Sequence, residues 1–242
     1  MTSPPEPTSE HLNPSKLGTK EYWDQAYETE SHNFSADPTN EGQIWFDESD
    51  AESRILRYLS SQDLPASTSF LDVGTGNGHL LFELVECGEY DDDGGAMVGI
   101  DYSPKAVELA EKIAKERGVE KRVRFVVADC VKDELSAAEW VPEGGFGVVL
   151  DKGTFDAISL SGEVLEDGSG RRLYEGYTQG VVGVMARGGL LVVTSCNWTE
   201  EELKKKLLVN QDLEYYGKIS YPSFSFGGKT GQAISSICFR RK

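Results

Sequence analysis

The sequence is poor in the groups that staple or chelate. Its 242 residues hold four cysteines and three histidines. Cys87, Cys130, Cys196 and Cys238 stand far apart, with no CxxC or CxxH spacing. That argues against a zinc ribbon and a disulfide framework, so no metal site is expected. His11, His32 and His79 show no ligand spacing either. Reduced, mostly buried thiols of a cytoplasmic protein are the expectation. Long apolar runs are missing too: those near Val181 and Leu190 are short and broken by glycine. The opening MTSPPEPTSEHLNPS has no apolar core and no Arg-rich amphipathic pattern, so no signal or transit peptide is read. Positive charge is scarce: 24 Lys and Arg face 41 Asp and Glu, for a formal net charge of −17. Such a surface repels nucleic acid and anionic membrane at long range and favours a basic protein partner. Solubility alone is an equally good reading of that charge.

What is there alternates between strands and helices. Residues 1–16 read as a disordered tail. Residues 20–46 are dense in aromatics (Tyr22, Trp23, Tyr27, Phe34, Trp45, Phe46), too dense for a linker, so this segment must pack on something. A helix is expected over 49–59. Strands are expected at 69–73, 96–100, 123–127, 147–150, 190–194, 213–220 and 233–239. Helical spacing fills 78–85 and 172–185. Ser103-Pro104 opens another helix, which Gly118 closes. Thr199 with Glu202 forms a capping box for one more. This order predicts an α/β protein with a doubly wound, mostly parallel seven-stranded sheet. The last two strands have only a loop between them, so an antiparallel C-terminal strand is expected. The acidic stretch 91–95 reads as a solvated turn.

The decisive stretch is FLDVGTGNGHLLFEL, residues 70–84. Gly74, Gly76 and Gly78 follow a strand and precede a helix. No Lys-Ser or Lys-Thr follows them, so a P-loop fails. A dinucleotide loop would need a third glycine where His79 stands, which weakens that reading. The remaining reading is a loop, including Thr75 and Asn77, that lets an aminoacyl nucleoside approach the backbone. S-Adenosylmethionine is such a ligand, and Asp72 before the loop tolerates its cationic sulfur. Asp101 ends the second strand, placed to accept from ribose hydroxyls, with Tyr102 beside the adenine face. Asp129 and Cys130 end the third strand, where the carboxylate can accept from the adenine amino group. Asp151 ends the fourth strand and is expected to face the same crevice. Any one of these acids alone is an ordinary cap. Four in order at strand ends are hard to attribute to chance.

At this point LDVGTGNG, GIDYS, DKGTFDAISL, SCNWT and PSFSFGG, with the N-terminal LGTKEYWDQAYETE and GQIWF, resemble a known family. They are similar to the class I, seven-β-strand lysine methyltransferases that modify translation elongation factor 1-alpha. The resemblance covers residue 17 to the C-terminus. It implies a Rossmann-like methyltransferase domain over 61–242, with residues 17–60 packed on it and covering the cofactor. It implies a protein-lysine N-methyltransferase with elongation factor 1-alpha as partner, expected to be a monomer. After the fourth strand, Asp151-Lys152-Gly153-Thr154 replaces the [Asn/Asp]-Pro-Pro-Tyr turn of enzymes acting on planar nitrogens. A tetrahedral lysine amine is consistent with that. Asp151 is expected to orient the incoming ammonium, and Asn197-Trp198, Phe224 and Phe226 to line the substrate mouth. Trp45-Phe46 is read either as a lid or as a staple for the N-terminal segment. Lys152 is read as an ordinary ion-pair partner of a neighbouring acid, and His79 as packed or solvated. A small-molecule methyltransferase and a non-catalytic cofactor-binding adaptor stay open as alternatives, with an NAD oxidoreductase behind them.

Overall fold

The structure is a computed structural model that describes residues 11–90, 94–222, 224–226, 229–231 and 233–242, without the side chains of 224–226 and 229–231. The expected solvated turn at 91–95 therefore falls partly outside the described residues. The strands are β1 (Phe70–Val73), β2 (Met97–Asp101), β3 (Arg124–Val127), β4 (Phe146–Lys152), β5 (Met185–Ser195) and β6 (Leu213–Ile219). A short pair, β7 (Phe224–Phe226) and β8 (Lys229–Gly231), precedes β9 (Ser235–Arg241). Among the described residues the main sheet has seven strands in the order β3-β2-β1-β4-β5-β9-β6. β1, β2, β3, β4 and β5 run parallel, while β9 is antiparallel to both β5 and β6. The chain order reverses between β1 and β4. The loops leaving those two strands diverge there, which opens a crevice at their C-terminal ends.

The helices are α1 (Lys20–Ala36), α2 (Ala51–Ser60), α3 (His79–Glu86), α4 (Pro104–Arg117), α5 (Thr154–Ser159), α6 (Tyr177–Val184) and α7 (Glu200–Leu207). Local chemistry sets several boundaries. Ser103 Oγ accepts from Ala106 N at 3.4 Å at the start of α4, and Gly118 ends it with φ +71°. Thr199 and Glu202 close a reciprocal capping box on α7, which carries acids in its first turn and lysines in its last.

The sheet carries a core on each face. Val148 and Leu150 of β4 pack among α1, α2, α3 and α4, whereas Val149 joins α6 and α7 on the other side. This is the two-residue period of a strand buried on both faces. Buried side chains such as Leu81, Leu84, Ile55 and Leu191 each contribute about 1.5–3 kcal/mol of transfer free energy.

Residues 20–36 of the aromatic segment form a helix, α1, whose Tyr27 and Phe34 are buried. Two expectations change. The helix expected over 172–185 is a 3₁₀ turn (Leu173–Gly176) followed by the shorter α6, and β5 begins at Met185. Glycines at 176, 180 and 183 weaken a continuous helix. The tail expected to be disordered through Lys16 is packed from His11 onward. His11 Nδ1 meets the Tyr174 hydroxyl at 2.8 Å, Leu12 touches the core, and Ser15 N donates to Leu160 O at 3.1 Å. Among the described residues no helix is long and apolar enough to cross a membrane.

A Cβ on Gly180 would collide with the Cys130 carbonyl oxygen. Glycine to alanine in a helix ordinarily stabilises by up to ~1 kcal/mol. Here Gly180→Ala is expected to destabilise by at least ~1 kcal/mol through forced separation of α6 from the segment after β3. Urea denaturation checks it, and a raised midpoint would show that this close approach does not matter.

Candidate active site

The glycine loop folds back over the end of β2. Gly74 N and Thr75 N both donate to Ile100 O, at 2.8 and 2.9 Å. Gly74 and Gly76 hold left-handed φ values of +66° and +57°. A Cβ on Gly76 would stand 2.6 Å from the Tyr27 hydroxyl, so glycine is needed for both conformation and space. Gly76 N then donates to Asp101 Oδ2 at 3.1 Å, and Ser103 N to Oδ1 at 2.9 Å.

Over this edge lies a cavity of ≈ 160 Å³. The glycine loop forms one end. Asp101, Tyr102, Asp129 and Cys130 form another side, and Thr154, Asp156, Cys196 and Asn197 a third. Trp23, Tyr27 and Trp45 of the N-terminal segment wall it from above. Trp23 lies between Tyr27 and Trp45, with ring centroids 5.9 and 5.6 Å apart. That segment is tied down at several points. Asn77 Nδ2 donates to Glu41 O at 3.0 Å, and Arg117 Nε to Glu41 Oε1 at 2.7 Å.

Trp45, Gly74, Thr75, Gly76, Asn77, Asp101, Tyr102, Asp129, Cys130 and Asn197 all line this one cavity. Asp72 and Asp151 do not. Asp72 lies beneath the loop, where Thr75 Oγ1 donates to its Oδ2 at 2.7 Å. Asp151 is 1 % exposed and fully engaged. Its Oδ1 accepts from Thr154 N at 2.9 Å, and its Oδ2 from Phe155 N at 3.0 Å and the Tyr177 hydroxyl at 2.7 Å. The expectation that Asp151 faces the crevice is therefore corrected. Strand alternation turns it, like Val149, toward α6, while Leu150 and Lys152 point to the opposite face. The expected lysine channel at Phe224 and Phe226 concerns side chains outside the described residues.

Burial raises the carboxyls of Asp72 and Asp101 to about 6 and that of Asp151 to about 7. Asp101 keeps its charge at neutral pH and retains lone pairs beyond the two backbone donors. Asp129 accepts from Val131 N and Lys132 N through Oδ1 alone.

Several site residues were not read from the sequence. Trp23 and Tyr27 stand one helical turn apart, a spacing that was visible as aromatic density only. Asp156 is 5 % exposed and accepts from Ser195 Oγ at 2.5 Å and Cys196 N at 2.8 Å, which fixes the turn that carries Asn197. His79 is neither merely packed nor solvated. Its Nδ1 meets Glu52 Oε2 of α2 at 2.6 Å. Burial lowers its pKa, but the Glu52 hydrogen bond and charge outweigh that and raise it. Lys152 pairs with the same Glu52, 3.5 Å away.

The cavity fits S-adenosylmethionine. The glycine loop, with Gly76 held close under Tyr27, adjoins an ionised carboxylate, an aromatic side chain and a second carboxylate. This arrangement suits an aminoacyl chain, a ribose and an adenine in sequence, and anionic walls suit a sulfonium. The chain matches the family model described as Methyltransferase domain over residues 64–235. It aligns with the N-methyltransferase NodS of Bradyrhizobium japonicum bound to S-adenosyl-L-homocysteine, with TM-score 0.58, 18% identity and coverage of 90% and 98% of the two chains. Fold and site thus define a class I methyltransferase with S-adenosylmethionine as cofactor. The Saccharomyces cerevisiae protein-lysine N-methyltransferase EFM4 is 40% identical over 94% of this chain and 96% of its own length. The Danio rerio EEF1A lysine methyltransferase 2 is 37% identical over 96% and 91%. The chain belongs to this family of protein-lysine N-methyltransferases.

The ionised form of Asp101 is the better acceptor for ribose hydroxyls, and ionised Asp72 favours a cationic ligand. Cofactor affinity is therefore expected to be full above pH 7 and to fall as pH drops through about 6. Asp101→Asn should weaken binding by about 1–3 kcal/mol and leave only the shallower Asp72 part of that profile. Calorimetric titration from pH 8 to 5 checks both, and a flat wild-type profile would remove Asp101 from the ribose.

Proposed function

We propose that this protein transfers a methyl group from S-adenosylmethionine to a lysine side chain of translation elongation factor 1-alpha. The observation that carries the reading is similarity along nearly the whole chain to proteins named for that substrate, including the zebrafish relative. The formal charge of −17 suits a basic partner. Four free cysteines suit a reducing compartment such as the cytoplasm.

When bound, the cofactor supplies a methyl group already activated by positive sulfur. The protein must align an amine with it and exclude water. A lysine amine has a pKa of about 10.4 and arrives protonated. Entry among Ala157, Ile158 and the N-terminal aromatics desolvates it and favours the neutral, nucleophilic form. Asn197, exposed on the rim, is the group we assign to orient the amine. Asp156 holds the Asn197 turn, and its carboxylate attracts the incoming ammonium without serving as a strong base. Asp151 acts at one remove, by holding the Thr154–Phe155 turn beneath the substrate side.

Incubation of the protein with S-adenosylmethionine and unmethylated elongation factor 1-alpha, read by mass spectrometry, is expected to show methylation of a lysine. Cofactor binding without any protein methylation would refute the substrate assignment. Asn197→Ala is expected to lower kcat by about 10- to 100-fold with cofactor Kd unchanged. Equal losses in both would place Asn197 in the cofactor site instead.

A further inference from the structure

Among the described residues lining the cavity, two carry positive charge: Lys132 and Lys152. Lys132 stands beside Asp129, at the adenine side, and its Nζ is 2.5 Å from Glu163 Oε2. Lys152 stands at the other end, where β4 leaves the sheet beside the glycine loop. Its side chain is 14% exposed. Its contacts are long for a half-buried cation. Nζ donates to the Trp45 carbonyl at 3.3 Å and lies 3.5 Å from Glu52 Oε1. That Glu52 oxygen is itself buried without a hydrogen bond. Charge-assisted bonds to carboxylates ordinarily close to about 2.7–2.9 Å. The ammonium thus has capacity for a short anionic contact that the protein does not supply.

The ligand of this cavity has one carboxylate, on its aminoacyl end. That end approaches the glycine loop, which leaves β1 at Val73, paired in register with Asp151 next to Lys152, and the Lys152 charge is felt by Asp72 beneath the same loop. We propose that Lys152 binds the α-carboxylate of S-adenosylmethionine and so selects for the complete amino-acid tail. The same ammonium holds the Trp45 carbonyl, so carboxylate binding also tethers the N-terminal wall over the occupied site. The inference rests on the cofactor assignment and adds a residue that selects between cofactor analogues.

The test compares S-adenosylmethionine with its decarboxylated analogue, which keeps the sulfonium and amine but lacks the carboxylate. Calorimetric Kd values are measured for the wild type, Lys152→Met and Lys152→Gln, each checked for an unchanged thermal midpoint. The wild type is expected to prefer S-adenosylmethionine by about 10- to 100-fold, the scale of a charge-assisted hydrogen bond. Either folded variant should lose that preference by weakening on S-adenosylmethionine alone. Equal weakening toward both ligands would make Lys152 only a brace for the N-terminal wall and overturn the proposal. A wild type that does not discriminate would overturn it without any variant. Failure to bind either ligand would reject the cofactor assignment as well, a result distinct from lost discrimination.

Discussion

One buried carboxylate, Asp101, joins the two loops on which the site depends. It takes the Gly76 N–H from the loop after β1 and the Ser103 N–H that leads into α4. With both bonds made, the glycine loop cannot relax across the strand ends, and the cavity stays open beside it. The cost is a charge held out of water, visible in a carboxyl raised to about 6. A ligand offering hydroxyl donors relieves part of that cost. The interaction that shapes the loop therefore also leaves beside it a charged acceptor suited to hydroxyl donors.

Much of this was legible because its causes are local. Ser103, Pro104 and Gly118 frame α4 through capping chemistry that needs only neighbouring residues. The glycines at 74, 76 and 78 mark a loop that only a few ligands suit. Asp101 and Asp129 could be placed because a strand end is a position along the chain. Asp151 shows where that logic stops. A strand end has two faces, and the alternation from Val149 sends Asp151 away from the cavity and Lys152 into place. The same period-two pattern could have revealed this in advance. The His79–Glu52 pair could not be found that way, since 27 residues separate them and only packing of α2 on α3 brings them together.

The N-terminal segment is the part of the site that depends most on tertiary structure. Residues 41–52 contribute no strand to the sheet, yet their backbone or side chains meet Asn77, His79, Arg117 and Lys152. Phe46 and Asp50 occupy left-handed conformations at the turn between these contacts. Such strain costs on the order of 1 kcal/mol each and persists only where surrounding contacts fix it. Trp45 both packs on Trp23 and lines the cavity.

The measurement that tests the account most directly is a crystal structure of the S-adenosyl-L-homocysteine complex. The account predicts both ribose hydroxyls within about 2.5–3.0 Å of the Asp101 carboxylate, with the Gly76 N–H bond retained. A nucleoside bound away from Asp101, or a glycine loop that must release Asp101 to admit it, would contradict the claim that this carboxylate organises the site.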